Sequence, residues 1–374
     1  MLTNTIIKAD LREIFESLTQ EQREKFRDST ILITGCAGFL GFYFTIFFTH
    51  FAKELGIKKI IGLDNFMLRI PEWVESLQDS NNNLIEIHKF DIIKDSIDSI
   101  NSAKNANIII HMASIASPIF YRKYPIETID ANIWGLRNLL EFYKDRAIKG
   151  FLFFSSSEIY GDPHSDFIPT DEEYKGNVSC IGPRACYDEA KRFGETMCYL
   201  FALKYNLPLS IARPFNNYGI GMNIDDKRVP ADFAKAILEN RDIEIFSDGT
   251  PKRTFCYISD AISGYLKVLT FGKFDYFNIG IDAPEISVYE LAKIYQNLGR
   301  ELCGYTGEIK LATSSDKDYL THNPNRRCPN ISKARKLLDY NPKIDVHIGV
   351  RRFLSFLLSQ KDSAKSSGKN GVIK

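Results

Sequence analysis

Residues 31–41 read Ile31-Leu32-Ile33-Thr34-Gly35-Cys36-Ala37-Gly38-Phe39-Leu40-Gly41. Three branched apolar residues suit a buried strand, and the three glycines that follow stand at G-x-x-G-x-x-G spacing. The run Phe39–Ala52 then continues as an apolar helix, too short to span a bilayer and so expected to be buried. Strand, glycine turn and helix in that order form a cradle for phosphate. Glycines let the backbone turn tightly and approach a pyrophosphate, and the helix N-terminus presents free N–H groups and the positive end of its dipole. Gly35, Gly38, Phe39, Leu40 and Gly41 are the expected contacts. Asp64 ends the next strand, in Gly62-Leu63-Asp64-Asn65. A carboxylate there bonds both ribose hydroxyls and repels a 2′-phosphate, which favours NAD over NADP.

Outward from this turn the same alternation continues. Apolar runs at Lys58–Asp64, Asn83–Asp91, Ala106–Ser114, Phe151–Gly161 and Leu207–Asn216 are separated by helical patterns such as ETIDANIWGLRNLLEFYKD and YDEAKRFGETMCYLFALKY. Strands alternating with amphipathic helices predict a doubly wound parallel sheet of Rossmann type. After Pro214 the segments shorten, with turns such as SDGTPKR and PNRRCPN. The expected organisation is a helical extension over 1–29 and a dinucleotide-binding domain over 30–213, to which 255–270 returns. A smaller α/β cap for the substrate follows over 214–254 and 271–360, and then a disordered tail over 361–374.

Composition excludes several classes. A net charge of +1 offers no field to nucleic acid or to an acidic membrane. Seven scattered cysteines, none in a C-x-x-C pair, argue against a zinc site or a disulfide scaffold and for a reduced, cytoplasmic protein without a metal.

The stretch Ile181–Arg192, IGPRACYDEAKR, sets Tyr187 and Lys191 four residues apart, on one face of a helix. An ammonium beside a phenol favours the phenolate, making Tyr187 a general base for an alcohol proton. The spacing alone decides little, because Tyr289 and Lys293 repeat it in VYELAK without a serine-rich strand upstream.

TGCAGFLG, HMAS, SSSEIYG and YDEAK stand in the order found in extended short-chain dehydrogenases/reductases. The run SSSEIYGDP, then IGPRACYDEAKR, then ETMCY closely resembles the UDP-glucuronate decarboxylases of that group, also called UDP-xylose synthases. The resemblance covers about residues 30–360. It implies that Tyr187 removes the sugar C4 hydroxyl proton, and that Lys191 lowers the Tyr187 pKa and bonds the nicotinamide ribose. Ser156 would take the place of the family's threonine or serine between the C4 oxygen and Tyr187. Ser157 and Glu158 match the Ser-Glu pair of the decarboxylases, with Glu158 positioning the sugar or assisting proton transfer near C5. That pair differs from the Asp-Glu of typical dTDP-glucose 4,6-dehydratases but is shared with GDP-mannose 4,6-dehydratases. On the cofactor side Asn65, Asp91, Ile92 and Ala113 are expected beside NAD, with Asp91 near the adenine amino group. The alternative activity is a nucleotide-sugar 4,6-dehydratase or 4-epimerase.

The resemblance also places Asn216, Arg253 and Arg327 at substrate positions, with Tyr121 and Arg184 lining the sugar pocket. Arginine forks suit phosphate and carboxylate oxygens. Three departures stand out: Gly221 where relatives carry an arginine, Arg122 and Lys123 where they are often neutral, and Cys328 for a usual lysine. A homodimer through a four-helix bundle of helices near 128–146 and 186–205 is implied. Trp134, Leu139, Phe142, Met197 and Phe201 are the apolar positions open to that interface or to the chain's own core. A precursor for polysaccharide or glycan synthesis is the expected setting.

Overall fold

A computed structural model describes residues 4–67, 69–80, 83–314, 316–318, 321 and 323–366. Seven parallel strands form its central sheet: β1 (Thr30–Thr34), β2 (Lys59–Asp64), β3 (Ile85–Lys89), β4 (Ile108–His111), β5 (Gly150–Phe154), β6 (Leu209–Pro214) and β7 (Asp275–Ile279). Their order is β7-β6-β5-β4-β1-β2-β3. The chain therefore reverses direction across the sheet between β1 and β4, and the crevice beyond their carboxyl ends is where such folds take a ligand. Register aligns those ends, with Thr34 paired to Leu63 on one side and to His111 on the other. Thr34 Oγ1 meets His111 Nδ1 at 2.8 Å and accepts from the N–H groups of Met112 and Ala113, both at 3.2 Å. Full burial keeps His111 neutral, its pKa lowered to about 3 by desolvation and then by Lys191.

β7 corrects the expected organisation. It falls inside the stretch assigned to the cap, yet it pairs with β6 and completes the sheet. Its first two residues are only partly buried, so it lacks the continuous apolar run that marks the inner strands. The expected tail is corrected as well. The last helix, Val346–Ser366, runs into it, and residues 367–374 lie outside the described residues.

The helix Phe39–His50 is apolar on every side, and its surroundings explain why. One side faces the sheet. The other is covered by the N-terminal helix Thr5–Ser17 and the residues after it, where Phe15 stacks on Phe51 with centroids 4.3 Å apart and Phe26 meets Phe48 at 5.4 Å. No helix among the described residues is long and apolar enough to cross a membrane.

Beyond the sheet, short strand pairs build the substrate side. Asn217–Tyr218 pairs with Cys256–Tyr257, and Ile243–Ile245 pairs with Ile309–Leu311. Lys252–Arg253 is flanked by Ile286–Ser287 and Arg326–Arg327. The last pairing matters for chemistry, because its register sets Arg253 directly beside Arg327.

Candidate active site

A single cavity of about 1420 Å³ runs from the glycine turn across the carboxyl ends of the strands to the paired arginines. Every residue expected at the cofactor lines it: Gly35, Gly38, Phe39, Leu40, Gly41, Asp64, Asn65, Asp91, Ile92, Ala113 and Lys191. So do Ser156, Ser157, Glu158 and Tyr187, and on the substrate side Tyr121, Arg184, Asn216, Arg253 and Arg327. The second Tyr-x-x-x-Lys lies elsewhere. Tyr289 and Lys293 sit on the helix Val288–Cys303, where Tyr289 is exposed and Lys293 lies over its ring, and neither lines the cavity.

At the cofactor end the turn is built for close approach. Gly35 has φ +71, and a Cβ there would meet the Ala113 backbone at 3.0 Å. A Cβ on Gly41 would run into the carbonyls of Gly35 and Cys36. Gly38 caps the Phe39–His50 helix without any side-chain hydrogen bond, so the first-turn N–H groups stay free for an anion. Asp64 is fixed by the N–H groups of Ala37 (3.0 Å) and Phe66 (2.9 Å). Burial raises its pKa against those two bonds. These features fit NAD, with phosphates at the turn and a ribose at Asp64.

The helix Ala185–Tyr205 sets Tyr187 and Lys191 one turn apart, both buried. Lys191 Nζ donates to the Phe154 carbonyl at 2.7 Å and stands 5.6 Å from the Tyr187 ring centroid. The electrostatics correct one expectation. Burial pushes the Tyr187 phenol up, above its ordinary value, and the Ser156 hydrogen bond only partly opposes it. Burial also lowers the Lys191 amine, to about 7. In the protein alone Tyr187 is therefore not a phenolate. Tyr121 stacks on Tyr187 with centroids 5.3 Å apart and planes 12° from parallel.

Beyond Tyr187 the charges form a chain. The backbone turns sharply after β5, where Ser156 Oγ accepts the Glu158 N–H at 3.2 Å and turns Glu158 inward. Glu158 is held between the guanidinium groups of Arg184 and Arg327. Burial works against its charge, but the two arginines prevail and hold its pKa down at about 2. Arg327 also donates to the Gly161 carbonyl at 3.0 Å. Arg253 has no such partner among the described residues. Carbonyls hold it, those of Lys252 at 2.8 Å and Asn325 at 3.1 Å among them, and burial followed by the fields of Arg327 and Arg184 lowers its pKa to about 10. A cation without a carboxylate, beside two more arginines, is set for an anionic ligand. Several residues of the cavity wall hold a buried polar atom with no partner among the described residues: Asn216 Nδ2, Ser114 Oγ, Tyr121 Oη, Ser155 Oγ and Arg327 Nε. Such groups are costly unless a ligand or water satisfies them.

The structure adds residues that sequence reasoning missed. Asp188 lies behind Arg184, 3.5 Å from its Nε, and burial together with Glu158 raises its pKa to about 7. Its place beside Tyr187 and four residues after Arg184 was the available signal. Arg228 reaches the cavity from the far side, pairs with Asp226 and lowers the Tyr187 pKa slightly. Nothing local marks it. Arg122, noted only as a departure, bridges to Asp316 of the cap. Gly221 also finds its reason. Its φ is +89, and a Cβ would meet the Phe42 ring at 2.8 Å, so the arginine of relatives has no room on this backbone.

Comparison with known proteins agrees with this fold. Residues 31–280 match the profile of the NAD dependent epimerase/dehydratase family. UDP-glucuronic acid decarboxylase 6 of Arabidopsis thaliana is 34% identical over 323 residues, covering 86% of this chain and 86% of its own. Among solved structures, UDP-glucose 4-epimerase of Thermotoga maritima with UDP-glucose superposes with a TM-score of 0.76 at 25% identity, covering 88% of this chain and 99% of that one. UDP-glucuronic acid 4-epimerase of Bacillus cereus, in complex with UDP-glucuronic acid and NAD, gives 0.70 at 23% identity, with 88% and 99% covered. That second likeness bears on the fold alone.

Proposed function

We infer the reaction from one premise: this chain belongs to the NAD dependent epimerase/dehydratase family. The reading that its site supports best is decarboxylation of a nucleotide hexuronate, UDP-glucuronate first, through a 4-keto sugar. The observation that carries it is the group Arg184–Glu158–Arg327 beside Tyr187, set next to the unpaired Arg253. Arg184 and Arg327 outnumber the one carboxylate they share, which leaves net positive charge at the sugar end for the C6 carboxylate of a hexuronate.

NAD, held at the glycine turn and Asp64, supplies reversible hydride transfer at the sugar C4. The chain's own residues do the rest. Tyr187 accepts the C4 hydroxyl proton as its phenolate, a form that burial opposes in the protein alone and that the positive charge of bound NAD⁺ would favour, with the Ser156 hydroxyl beside it to share the proton's path. Lys191, anchored on the Phe154 carbonyl, fixes the ribose side and adds positive charge near the phenol. With C4 a ketone, a C5 carboxylate is a β-keto acid. It leaves as CO₂ while the C5–C6 bonding electrons enter the C4 carbonyl as an enolate. Ser156 and protonated Tyr187 stabilise that oxygen. Protonation at C5 by a proton from water leaves a 4-keto pentose; Tyr187 then gives its proton back to the C4 oxygen as C4 would regain its hydride from the cofactor, which restores NAD⁺ and completes the cycle. Glu158 is ionised and doubly paired, so it holds Arg184 and Arg327 in place and is not the proton donor. Asn216 and Arg253 face the diphosphate, and Tyr121 forms a wall of the sugar pocket.

Two copies of the chain pair through the helix Ala185–Tyr205 and the segment before β5. Leu139, Met197 and Phe201 are buried in the chain's own core. Leu203 at 70% exposure, Trp134 at 58%, Leu200 and Phe193 remain on the outer face, a band that a second copy would cover. Seven free cysteines accord with a reducing, cytoplasmic setting, and a nucleotide sugar made there would serve as a precursor for polysaccharide synthesis.

The test is incubation with UDP-glucuronate and NAD⁺, followed by mass spectrometry of the sugar nucleotide. Loss of CO₂ without accumulating NADH is the expected result. An unchanged mass with a shifted C4 configuration, or loss of water from a neutral sugar, would move the assignment to epimerase or dehydratase.

A further inference from the structure

The family match begins at residue 31, yet one buried side chain of the segment before it bonds two elements that frame the cavity. Asp10 lies on the inner face of the helix Thr5–Ser17 with no exposed surface. Its Oδ2 accepts from the Tyr43 hydroxyl at 2.7 Å and from the Tyr257 hydroxyl at 2.9 Å. Its Oδ1 accepts from Arg352 Nη1 at 2.7 Å, and Arg352 also pairs with Glu13.

These donors come from three elements that are distant in the chain. Tyr43 stands in the second turn of the helix Phe39–His50, whose first turn is the glycine cradle, and its neighbour Phe42 abuts Gly221. Tyr257 ends the short strand paired with Asn217–Tyr218, and the Cys256 N–H on that strand donates to the Asn216 carbonyl at 3.2 Å. Asn216 in turn lines the cavity and holds a buried amide nitrogen with no partner among the described residues. Arg352 belongs to the last helix.

Adhesion does not require this carboxylate. Ile7, Leu11 and Ile14, all buried, already fasten the helix to the core. A buried carboxylate is costly unless fully bonded, and what it adds over an apolar residue is direction. Both phenols converge on one oxygen, so the cofactor helix and the substrate strand are referred to a single point.

We propose that Asp10 is a positioning residue, tying the helix that carries the phosphate turn to the strand pair that carries Asn216, so that the cofactor and substrate ends of the cavity keep their register.

The experiment compares Tyr43→Phe, Tyr257→Phe and Asp10→Ala with the wild type and with Tyr143→Phe. Tyr143 is a buried phenol bonded to the Ala103 carbonyl at 2.9 Å, remote from Asp10, and controls for the loss of one buried hydrogen bond. Readouts are thermal midpoint, NAD⁺ affinity by calorimetry, and hydrogen exchange of the segments 34–42 and 215–222. Tyr43→Phe is expected to weaken NAD⁺ binding about three- to tenfold, the scale of one buried hydrogen bond, and to speed exchange in 34–42. Tyr257→Phe should speed exchange in 215–222 with a smaller change for NAD⁺, and Asp10→Ala should do both. If these variants lower the thermal midpoint as Tyr143→Phe does, with NAD⁺ affinity and both segments as in wild type, the proposal is overturned. Should Asp10→Ala fail to fold, the two tyrosine variants decide by the same criteria. These readouts do not depend on which nucleotide sugar turns over, so a negative decarboxylation assay would leave them valid.

Discussion

Tyr187 shows how a side chain's chemistry depends on what surrounds it. Its helical partner Lys191 is in place, but burial raises the phenol and lowers the amine. Titrating the protein alone should therefore show no tyrosinate forming near neutrality, and a phenolate signal there would contradict this account. Tyr187→Phe should reduce kcat about 10²- to 10⁴-fold, the usual worth of a general base, with NAD⁺ still bound. Glu158 makes the opposite electrostatic case. Its folded pKa of about 2 lies below its ordinary 4.5, so its contribution to stability is complete above about 4.5 and is lost as pH falls toward 2. Glu158→Gln should flatten that acid limb in a pH series of thermal melts. It should also cost about 3 kcal/mol or more at neutral pH, because two buried guanidinium groups lose their counter-ion. Substrate KM should rise with it, as Arg184 and Arg327 lose their alignment.

Among the elements, the glycine turn and the small cap sheet do most to define the cavity. Gly41 faces carbonyls that a methyl group would strike. Gly41→Ala should weaken NAD⁺ binding at least tenfold in a direct titration, roughly the loss of one or two charge-assisted hydrogen bonds. Gly221 tests the departure from relatives. Gly221→Arg puts back their side chain, but on a backbone at φ +89 against the Phe42 ring, so it should lower stability by about 1–3 kcal/mol in a denaturant titration and leave turnover no higher. A gain in turnover would mean that the backbone there adapts. The parallel pairing of Lys252–Arg253 with Arg326–Arg327 creates the cationic end of the site, since residues more than seventy positions apart become lateral neighbours there.

For the molecule as a whole, the outer band of Phe193, Leu200, Leu203 and Trp134 is the surface to test. Leu203→Glu should convert a dimer to a monomer in light scattering, with the thermal midpoint of the isolated fold little changed because the side chain is already exposed. An unchanged mass would place the interface elsewhere or show a monomer from the start. The N-terminal helix belongs to this scale too. It covers the far side of the cofactor helix and delivers Asp10 to a point between both halves of the site.

Local pattern was enough for much of this. The strand, glycines and apolar helix of residues 31–50 identified the cofactor fold, because a phosphate cradle is made by consecutive residues. Tyr187, Lys191, Ser156 and Glu158 were singled out by the resemblance, since Tyr289 and Lys293 repeat the spacing, and the structure brings the first four together at the cavity. The edge strand β7 was not, because a half-exposed edge carries little apolar signal. Nor could the sequence show that Arg184 and Arg327 share Glu158, that Arg228 faces Tyr187 from across the cavity, or that Leu139 turns inward while Trp134 turns out. It also could not show that burial lowers the Lys191 pKa. Those outcomes depend on burial and on contacts between distant segments, and both exist only once the chain has closed around the cavity.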